Sequence, residues 1–304
     1  MKIAVYLAAV PAKTKNKSKK EFLNAFAYGA KAAGDDVWLV ENPEVIVDAD
    51  VAVLQGWIGM KSAPHLELRR RVIKSQRMQN KHTLVIDSNL FGFLHPTDRD
   101  RYLRYSLDGI FPTTGYYFDN DPDPSRWHEI KQSYNFQERA WSSSGNHVLV
   151  CLQRDGGWSM DGLSVVQWLE RIIPQIRMST DRPIVIRPHP GSLKTVPEVQ
   201  KRWPEISISG QDDIRHDLDQ AWCTVTYNSS PGVASLLWGV PAFITDPHAE
   251  RSQAYGYSST DLKDIERPYR PQRDGFYVRL AQCHFATNSL ADGNAWRFMR
   301  SRLP

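Results

Sequence analysis

The sequence has few cysteines and no long apolar segment. Cys151, Cys223 and Cys283 form no pair with the spacing of a metal site, and two of them lie in apolar, strand-like runs, so we expect buried thiols without disulfides. No apolar run approaches the roughly 18 residues that a membrane-spanning helix requires. The apolar start, MKIAVYLAAV, leads into lysines with no plausible signal-cleavage site. These absences predict a cytoplasmic protein without stable membrane insertion.

Positive charge is concentrated in the N-terminal half. The net charge is +4, yet six lysines and one acid lie between Lys13 and Lys31, and seven Lys or Arg and one acid lie between Lys61 and Lys81. The rest of the chain is therefore net negative. Such basic stretches are typical either of a solvated helix face or of a surface that binds an anionic partner.

Strand-like and helix-like segments alternate along the 304 residues. This alternation predicts parallel sheets with helices on both faces. The polar segment 138–146 separates two such sets, so we predict an α/β protein of two doubly wound, Rossmann-like domains that face a central cleft. Their predicted bounds are 1–140 and 147–304, with a C-terminal tail that can pack back on the first domain. Strands are predicted at 2–8, 37–40, 51–57, 83–87, 147–153, 183–190, 223–227 and 241–245.

Ligands of doubly wound folds bind beyond the carboxyl ends of the strands, so the turns after the strands are the candidate sites. In the segment VTYNSSPGVASLLWG, a strand ends and Asn228, Ser229 and Ser230 lead through a proline and Gly232 into an apolar helix. Backbone N–H groups at such a helix start suit a phosphate. The alternative is that a serine serves as an ordinary N-cap.

Two more turns of the second half carry groups that bind anions. Arg187 and His189 end a strand in IRPHP, where flanking prolines fix the backbone and both side chains can donate charge-assisted hydrogen bonds. Another strand runs into a polar loop that supplies donors and flexible backbone, with the alternative of a plain tight turn. The predicted binding residues of that loop are Gln153, Arg154, Gly156 and Gly157.

In the first half, Asp87 ends the buried strand TLVID. A carboxylate at this position can act as a general base toward a hydroxyl group. The alternative is an aspartate that forms a turn or caps a helix.

The order of these motifs resembles GT-B glycosyltransferases related to capsule-polysaccharide synthesis, in particular the Kdo-transferring enzymes, and more distantly the bacterial sialyltransferases. The acidic motif corresponds to Asp87, the HP motif to His189-Pro190, and the serine pair to Ser229-Ser230 with a later G-x-P at 239–241. The segments QGW at 55–57 and DGIFPTTGYYFD at 108–119 add to the resemblance, which spans about residues 50–250. One departure is that Ser88-Asn89 follows the aspartate, with FGF only at 91–93.

This resemblance implies that His189 and the serine pair hold the phosphate of a nucleotide-sugar donor, a UDP- or CMP-sugar, and that Asp87 activates the acceptor. The segment DNDPDP at 119–124 is similar to a metal motif, but its prolines are typical of a loop. We therefore predict that the protein requires no metal.

The acceptor is predicted from the charge. The loop before the first helix leads from a strand end to the acceptor side and carries Lys13, Lys15, Lys17, Lys19 and Lys20, so a polyanionic acceptor is expected. Two polyanions meet this expectation. One is DNA with hydroxymethylated bases, as made by some phages, and the other is an acidic capsule or lipopolysaccharide chain. We favour DNA, because no amphipathic membrane-binding helix is evident. If the target base is flipped out of a duplex, Trp57, Phe91 or Phe93 would stack on it or fill the gap that it leaves.

Two further functions remain open at this point. A nucleotide-sugar epimerase shares the predicted architecture. A nucleic-acid-binding protein with a degenerate donor site would use the same basic surface without catalysis.

Overall fold

The computed structural model describes residues 1–11, 17–58, 63–111, 115, 122–156 and 158–303, without the side chains of 17, 18 and 158. The chain forms two compact units. Unit 1 comprises 1–128 and 278–304, and unit 2 comprises 129–277. Each unit is built on one sheet, of six described strands in unit 1 and five in unit 2.

The sheet of unit 1 is parallel through four neighbouring strands and antiparallel at one side. The strands are β1 Lys2–Tyr6, β2 Asp36–Val40, β3 Val51–Gln55, β4 His82–Asp87, β5 Tyr102–Leu107 and β11 His284–Ala286. Their order across the sheet is β11-β5-β4-β3-β1-β2. β2, β1, β3 and β4 run parallel, whereas β5 pairs antiparallel with both β4 and β11. Helices that belong to this unit or begin or end in it are α1 Lys17–Ala32, α2 Pro64–Met78, α3 Ser125–Tyr134, α8 Asp274–Ala281 and α9 Asn294–Arg300.

Helices cover both faces of this sheet, as the alternation of strand-like and helix-like segments along the sequence predicts. On one face, side chains of α1 and α9 such as Phe26 and Trp296 form a core with Val53 and Ile86. On the other face, side chains of α2 such as Val72 pack against the intervening residues of β1 and β3. The helices packed on both faces fix the carboxyl ends of β3 and β4 at one edge of the sheet.

The sheet of unit 2 is parallel throughout its five described strands. They are β6 His147–Cys151, β7 Ile184–Arg187, β8 Ser207–Ile208, β9 Ala221–Thr226 and β10 Ala242–Ile244. Helices of this unit are α4 Val165–Ser179, α5 Val196–Arg202, α6 Ile214–Leu218 and α7 Pro231–Trp238. Short 3-10 turns across the two units lie at Leu7–Ala9, Gly92–Leu94, Trp158–Met160, Leu193–Thr195, Ala249–Arg251, Leu262–Asp264 and Thr287–Asp292.

Helix α4 shows how local sequence sets the bounds of an element. The hydroxyl of Ser164 accepts from the Gln167 N–H at 3.1 Å, and the Gln167 side chain accepts from the Ser164 N–H at 3.0 Å. This capping box begins a helix whose apolar stripe, including Trp168 and Ile172, packs on β6 and β7.

The predicted fold class, two Rossmann-like α/β domains, is confirmed. The predicted boundary at 140–147 differs from the division of the structure, which falls between His128 and Glu129. The polar segment 138–146 lies inside unit 2, where the Ser142 N–H donates to the Gly239 carbonyl at 2.7 Å. Its composition is that of a linker, but its backbone bonds fix it to the unit. Residues from Val278 onward belong to unit 1.

The parallel pairing predicted from the alternation is present in both sheets, and the sheet of unit 1 adds two antiparallel strands, β5 and β11. None of the helices in the described part of the chain combines the length and the apolar character that crossing a membrane would take.

Candidate active site

The predicted donor residues follow adjacent strands of unit 2. β10, β9, β6 and β7 are neighbours and run parallel, so the turns after them share one edge of the sheet. The turns after β6, β7 and β9 contain Arg154, His189 and Ser229, respectively. The structure therefore brings the three predicted turns to the same edge.

Asn228 and Gln153 form a buried frame at this edge. The Asn228 N–H donates to Gln153 Oε1 at 2.8 Å, and its side-chain amide donates to the Ser159 carbonyl at 2.9 Å and to Asp246 Oδ2 at 2.6 Å. Gln153 Nε2 donates to Ser159 Oγ at 3.0 Å. Because these bonds join the turns after β6, β9 and β10, Asn228 and Gln153 position the backbone of the site.

The serine pair lies at the start of α7. Ser229 Oγ is 2.7 Å from Thr226 Oγ1. Ser230 is the N-cap residue and is exposed, but among the described residues its side chain makes no capping bond. The ordinary N-cap interpretation thus does not describe Ser230, which precedes the positive end of the α7 dipole.

The glycines of the predicted donor site differ in their roles. Gly232 is buried, and a Cβ there would lie 3.1 Å from Ile244 Cδ1, so its small size serves the packing of α7 against β10 and does not open the site to a ligand. Gly156 has φ of +57°, and a Cβ at this position would have no described atom within 4 Å, so its backbone is accessible. Gly157 lies outside the described residues.

His189 presents one nitrogen as a donor. The Gly191 N–H donates to His189 Nδ1 at 2.9 Å, so Nδ1 is the acceptor and Nε2 carries the proton of the neutral ring. Burial, and secondarily the charge of Arg154, lower the pKa of His189 below its ordinary value. A Cβ on Gly191 would lie 3.2 Å from both Arg154 Nη2 and His189 Cε1. The two side chains therefore approach the same glycine.

Arg187 requires a correction. Its guanidinium donates to the carbonyls of Gln211 at 2.9 Å and Asp212 at 3.0 Å and pairs with Asp217. Only 12% of the Arg187 side chain and 7% of the Asp217 side chain are exposed. Arg187 thus links β7 to the segment before α6 and to α6 itself. Arg154, which was also predicted to bind the donor, is by contrast exposed.

In unit 1, Asp87 lies at the end of β4 beside a cavity. Asp87 Oδ2 accepts from Arg104 Nη2 at 2.8 Å, and Oδ1 accepts from the Ser88 N–H at 2.8 Å. Arg104 is buried on β5, so it holds the carboxylate in one orientation. The cavity has a volume of about 370 Å³, and its polar lining comprises Lys19, Gln55, Arg69, Asp87, Ser88 and Asp100.

Arg69 is a buried cation of this cavity. It donates to the Ala9 carbonyl at 3.1 Å and 2.9 Å and to the Trp57 carbonyl at 2.8 Å. Burial lowers the pKa of Arg69 to about 10, an effect that the charge of Asp87 opposes. The guanidinium therefore stays charged at neutral pH. It ties the turns after β1 and β3 together near the aspartate.

The predicted acceptor residues differ in exposure, and only some of them lie among the described residues. Lys19 lines the cavity and Lys20 is exposed. Trp57 is partly buried against the α2 side of the sheet, and Phe93 is partly buried. Lys13 and Lys15 lie outside the described residues, as does the side chain of Lys17.

The predicted role of Phe91 in stacking on a flipped base also requires a correction. Its ring has no exposed surface, stacks with Trp127 at 5.6 Å between centroids, and meets His284 edge-on at 4.8 Å. His284 Nε2 accepts from the Leu90 N–H at 3.2 Å, and burial lowers the pKa of His284 to about 3. Phe91 is therefore part of the core that supports the turn after Asp87, and stacking on a base would require it to leave that core.

Sequence reasoning missed four polar residues of these sites. Asp246 comes directly after the predicted strand PAFIT, and Asp87 is the last residue of TLVID, so a search for acids at strand ends would have found both. Arg69 lies at the apolar spacing of α2, but three consecutive arginines hide which one faces inward. Arg104 lies in a strand whose polar residues concealed it. Gln55 belongs to QGW, a segment noted only for its resemblance.

Comparison with known proteins gives the fold. No family model matches the sequence, and no curated protein does so either. The structure is similar to the β-Kdo 2,7-transferase KpsC of Thermosulfurimonas dismutans, with a TM-score of 0.55, 12% identity, and coverage of 98% of this chain and 99% of that chain. It is also similar to the β-Kdo 2,4-transferase KpsC of that organism, with a TM-score of 0.56, 13% identity and coverage of 96% and 98%.

The Kdo-transferase-like GT-B resemblance drawn from the motifs is therefore confirmed at the level of the fold, and the chain has a glycosyltransferase-like fold. Within the residues that the structure describes, no group of three or more His, Cys, Asp or Glu side chains gathers as a metal site. The first three residues of DNDPDP lie outside that part of the chain. Metal independence stays a prediction.

Proposed function

We propose that this protein is a glycosyltransferase that moves a sugar from a nucleotide-sugar donor to a hydroxyl of an anionic acceptor. The observation that carries the proposal is the placement of Asp87 beside a cavity at a strand end of unit 1. The fold shared with Kdo transferases and the anion-binding groups at the strand ends of unit 2 support it.

On the donor side, the proposed phosphate site consists of His189, Arg154 and the start of α7 with Ser229 and Ser230. As the bond between the sugar and the phosphate breaks, its electron pair leaves with the nucleotide and negative charge builds on the phosphate. The Nε2–H of His189 and the guanidinium of Arg154 can donate to that charge without rearrangement, and the positive end of the α7 dipole faces the same turn. The bond between the Asn228 N–H and Gln153 Oε1 joins the turn that carries Arg154 to the turn before α7.

On the acceptor side, Asp87 accepts the proton of the attacking hydroxyl while the acceptor oxygen bonds to the sugar. Arg104 fixes the orientation of the carboxylate. Lys19 and Arg69 make the cavity favourable for an anionic acceptor. All atoms balance, because the products are the glycosylated acceptor, the nucleotide and one proton.

For the acceptor we propose an acidic glycan, since the similar structures are Kdo transferases and a cavity of about 370 Å³ suits a saccharide unit. DNA with hydroxymethylated bases is the second candidate, and the density of lysines before and within α1 favours it. The burial of Phe91 removes one of the side chains that would have stacked on a flipped base.

Donor binding is tested by thermal stability. We expect UDP- or CMP-sugars to raise the melting temperature, because a ligand at a hundredfold excess over its dissociation constant stabilises the folded state by about 2.7 kcal/mol. The shift should persist in EDTA. Incubation with the same panel then separates the functions: transfer or hydrolysis supports a transferase, an isomerised donor identifies an epimerase, and no binding of any nucleotide sugar contradicts the proposal.

The acceptor is tested by salt titration. If DNA is the acceptor, the logarithm of duplex affinity falls with the logarithm of salt at a slope near −0.9 per phosphate contact. Changing Lys15, Lys17 and Lys20 to Gln would then flatten the slope. The matched control changes Arg171, Lys201 and Lys263 to Gln. These residues are exposed in unit 2, outside both basic stretches, and the change removes the same charge.

For a glycan acceptor, we expect both triple variants to have the same small effect on duplex binding, whether or not the DNA carries hydroxymethylated bases. A flattened slope in the first variant alone would establish the DNA acceptor and displace the glycan.

A further inference from the structure

Gln55 is a buried polar residue at the end of a core strand. Its side chain is 6% exposed, and Oε1 has no hydrogen-bond partner among the described residues. The preceding residues on the same face, Val51 and Val53, belong to the apolar core under α1. A glutamine here breaks the apolar pattern and leaves a buried carbonyl unpaired, which is unfavourable for folding. Packing of the core therefore does not explain why a glutamine occupies this position.

A second buried glutamine of unit 1 shows the usual arrangement. The Gln76 side chain donates to the Ala49 carbonyl at 3.2 Å and to the His82 carbonyl at 2.7 Å. Gln76 thus joins α2 to the beginning of β4 and serves the fold. Gln55 has the same side chain and similar burial, but its side-chain oxygen has no hydrogen-bond partner among the described residues.

Gln55 also lies next to the proposed catalytic residue. In the sheet it is paired with Ile86, the residue before Asp87. Gln55 and Asp87 both line the cavity of about 370 Å³. The backbone beyond Gln55 is fixed, because Gly56 has φ of +81° and Arg69 holds the Trp57 carbonyl. A molecule in the cavity would therefore meet the amide and the carboxylate in a fixed relation.

We propose that Gln55 is an acceptor-binding residue whose amide hydrogen-bonds a hydroxyl of the saccharide acceptor and so orients the acceptor toward Asp87. A hydroxyl both donates and accepts, so it matches either end of an amide. The inference rests on the proposed function, since it concerns the same cavity. It adds a specificity determinant: an acceptor that lacks this hydroxyl leaves the amide unpaired and is discriminated against.

The test compares Gln55→Met with the control Gln76→Met. For Gln55→Met we expect kcat/KM for a Kdo-terminated oligosaccharide to fall about tenfold, with donor affinity unchanged and the melting temperature equal to or above that of the wild type. For Gln76→Met we expect the reverse, a lower melting temperature with unchanged acceptor kinetics. A set of acceptors, each lacking one hydroxyl, supplies a second measurement. One of them should lower the wild-type rate about tenfold and leave the Gln55→Met rate unaffected.

Calorimetric titration of the same oligosaccharides without donor separates this inference from the proposed function. If the wild type transfers no sugar but binds a saccharide about tenfold more tightly than Gln55→Met does, the transferase proposal fails and the role of Gln55 stands. If every deoxy acceptor affects both proteins equally, or the wild type binds no saccharide, Gln55 is not an acceptor-binding residue. A large fall in the melting temperature of Gln55→Met would likewise assign it to the fold.

Discussion

Replacing Asp87 by asparagine is expected to lower the rate of sugar transfer by about 10²-fold or more, the usual contribution of a general base. Asparagine keeps the shape of the side chain and can still accept from Arg104, but it cannot take the proton of the acceptor hydroxyl. Donor affinity should be nearly unchanged, because the proposed phosphate-binding groups lie in unit 2. The measurements are single-turnover transfer and donor titration with the same preparation.

Asp108→Asn is the matched control for this variant. Asp108 Oδ1 accepts from the Thr83 N–H at 2.7 Å at the opposite end of β4, and φ of +59° is a conformation that asparagine tolerates well. Its turnover should be close to that of the wild type. Because Asp87→Asn also removes the ion pair of the buried Arg104, its melting temperature must be followed. Normal transfer by Asp87→Asn would show that the carboxylate only terminates the strand.

The strands that bear the site could be predicted because they are apolar on both faces. β4, for example, reads as a short run of Leu, Val and Ile that ends at Asp87, and β6 as a run of Val and Leu that ends at Cys151, two residues before Gln153. β5 was missed because Arg104 and Ser106 interrupt its apolar pattern, although the structure buries both. β11 has only three residues and pairs with β5 from a distant part of the chain, so no local pattern indicates it.

Side-chain direction was less predictable than strand position. Arg187 is the last residue of β7, and Arg154 follows β6. No sequence pattern indicates that Arg187 pairs with Asp217 whereas Arg154 is exposed. That choice depends on α6, which is brought to β7 by the tertiary fold. Phe91 is a similar case, since its partner His284 is nearly two hundred residues away along the chain.

The donor site gives the second large expected effect. His189→Ala should weaken nucleotide-sugar binding about 10- to 100-fold, because a hydrogen bond to a charged phosphate is worth about 1.5–3 kcal/mol. Arg154→Ala should weaken it to a similar degree, while neither change removes a buried contact that the fold needs. Isothermal titration with a UDP- or CMP-sugar measures both. Unchanged affinity in His189→Ala would remove the histidine from the site.

The tautomer of His189 makes this prediction sharper. Since the Gly191 N–H occupies Nδ1, a second ring proton would displace that bond, and burial already lowers the pKa of His189. The ring should therefore bind phosphate as a neutral Nε2–H donor, and donor affinity should not rise as the pH falls from 8 toward the ordinary histidine pKa of about 6.5. His189→Gln, whose amide can donate from the position of Nε2, should retain more affinity than His189→Asn, whose shorter amide matches Nδ1. The alternative is that a protonated imidazolium binds the donor. In that case donor affinity would increase steadily on acidification, and the two amide variants would lose equal affinity.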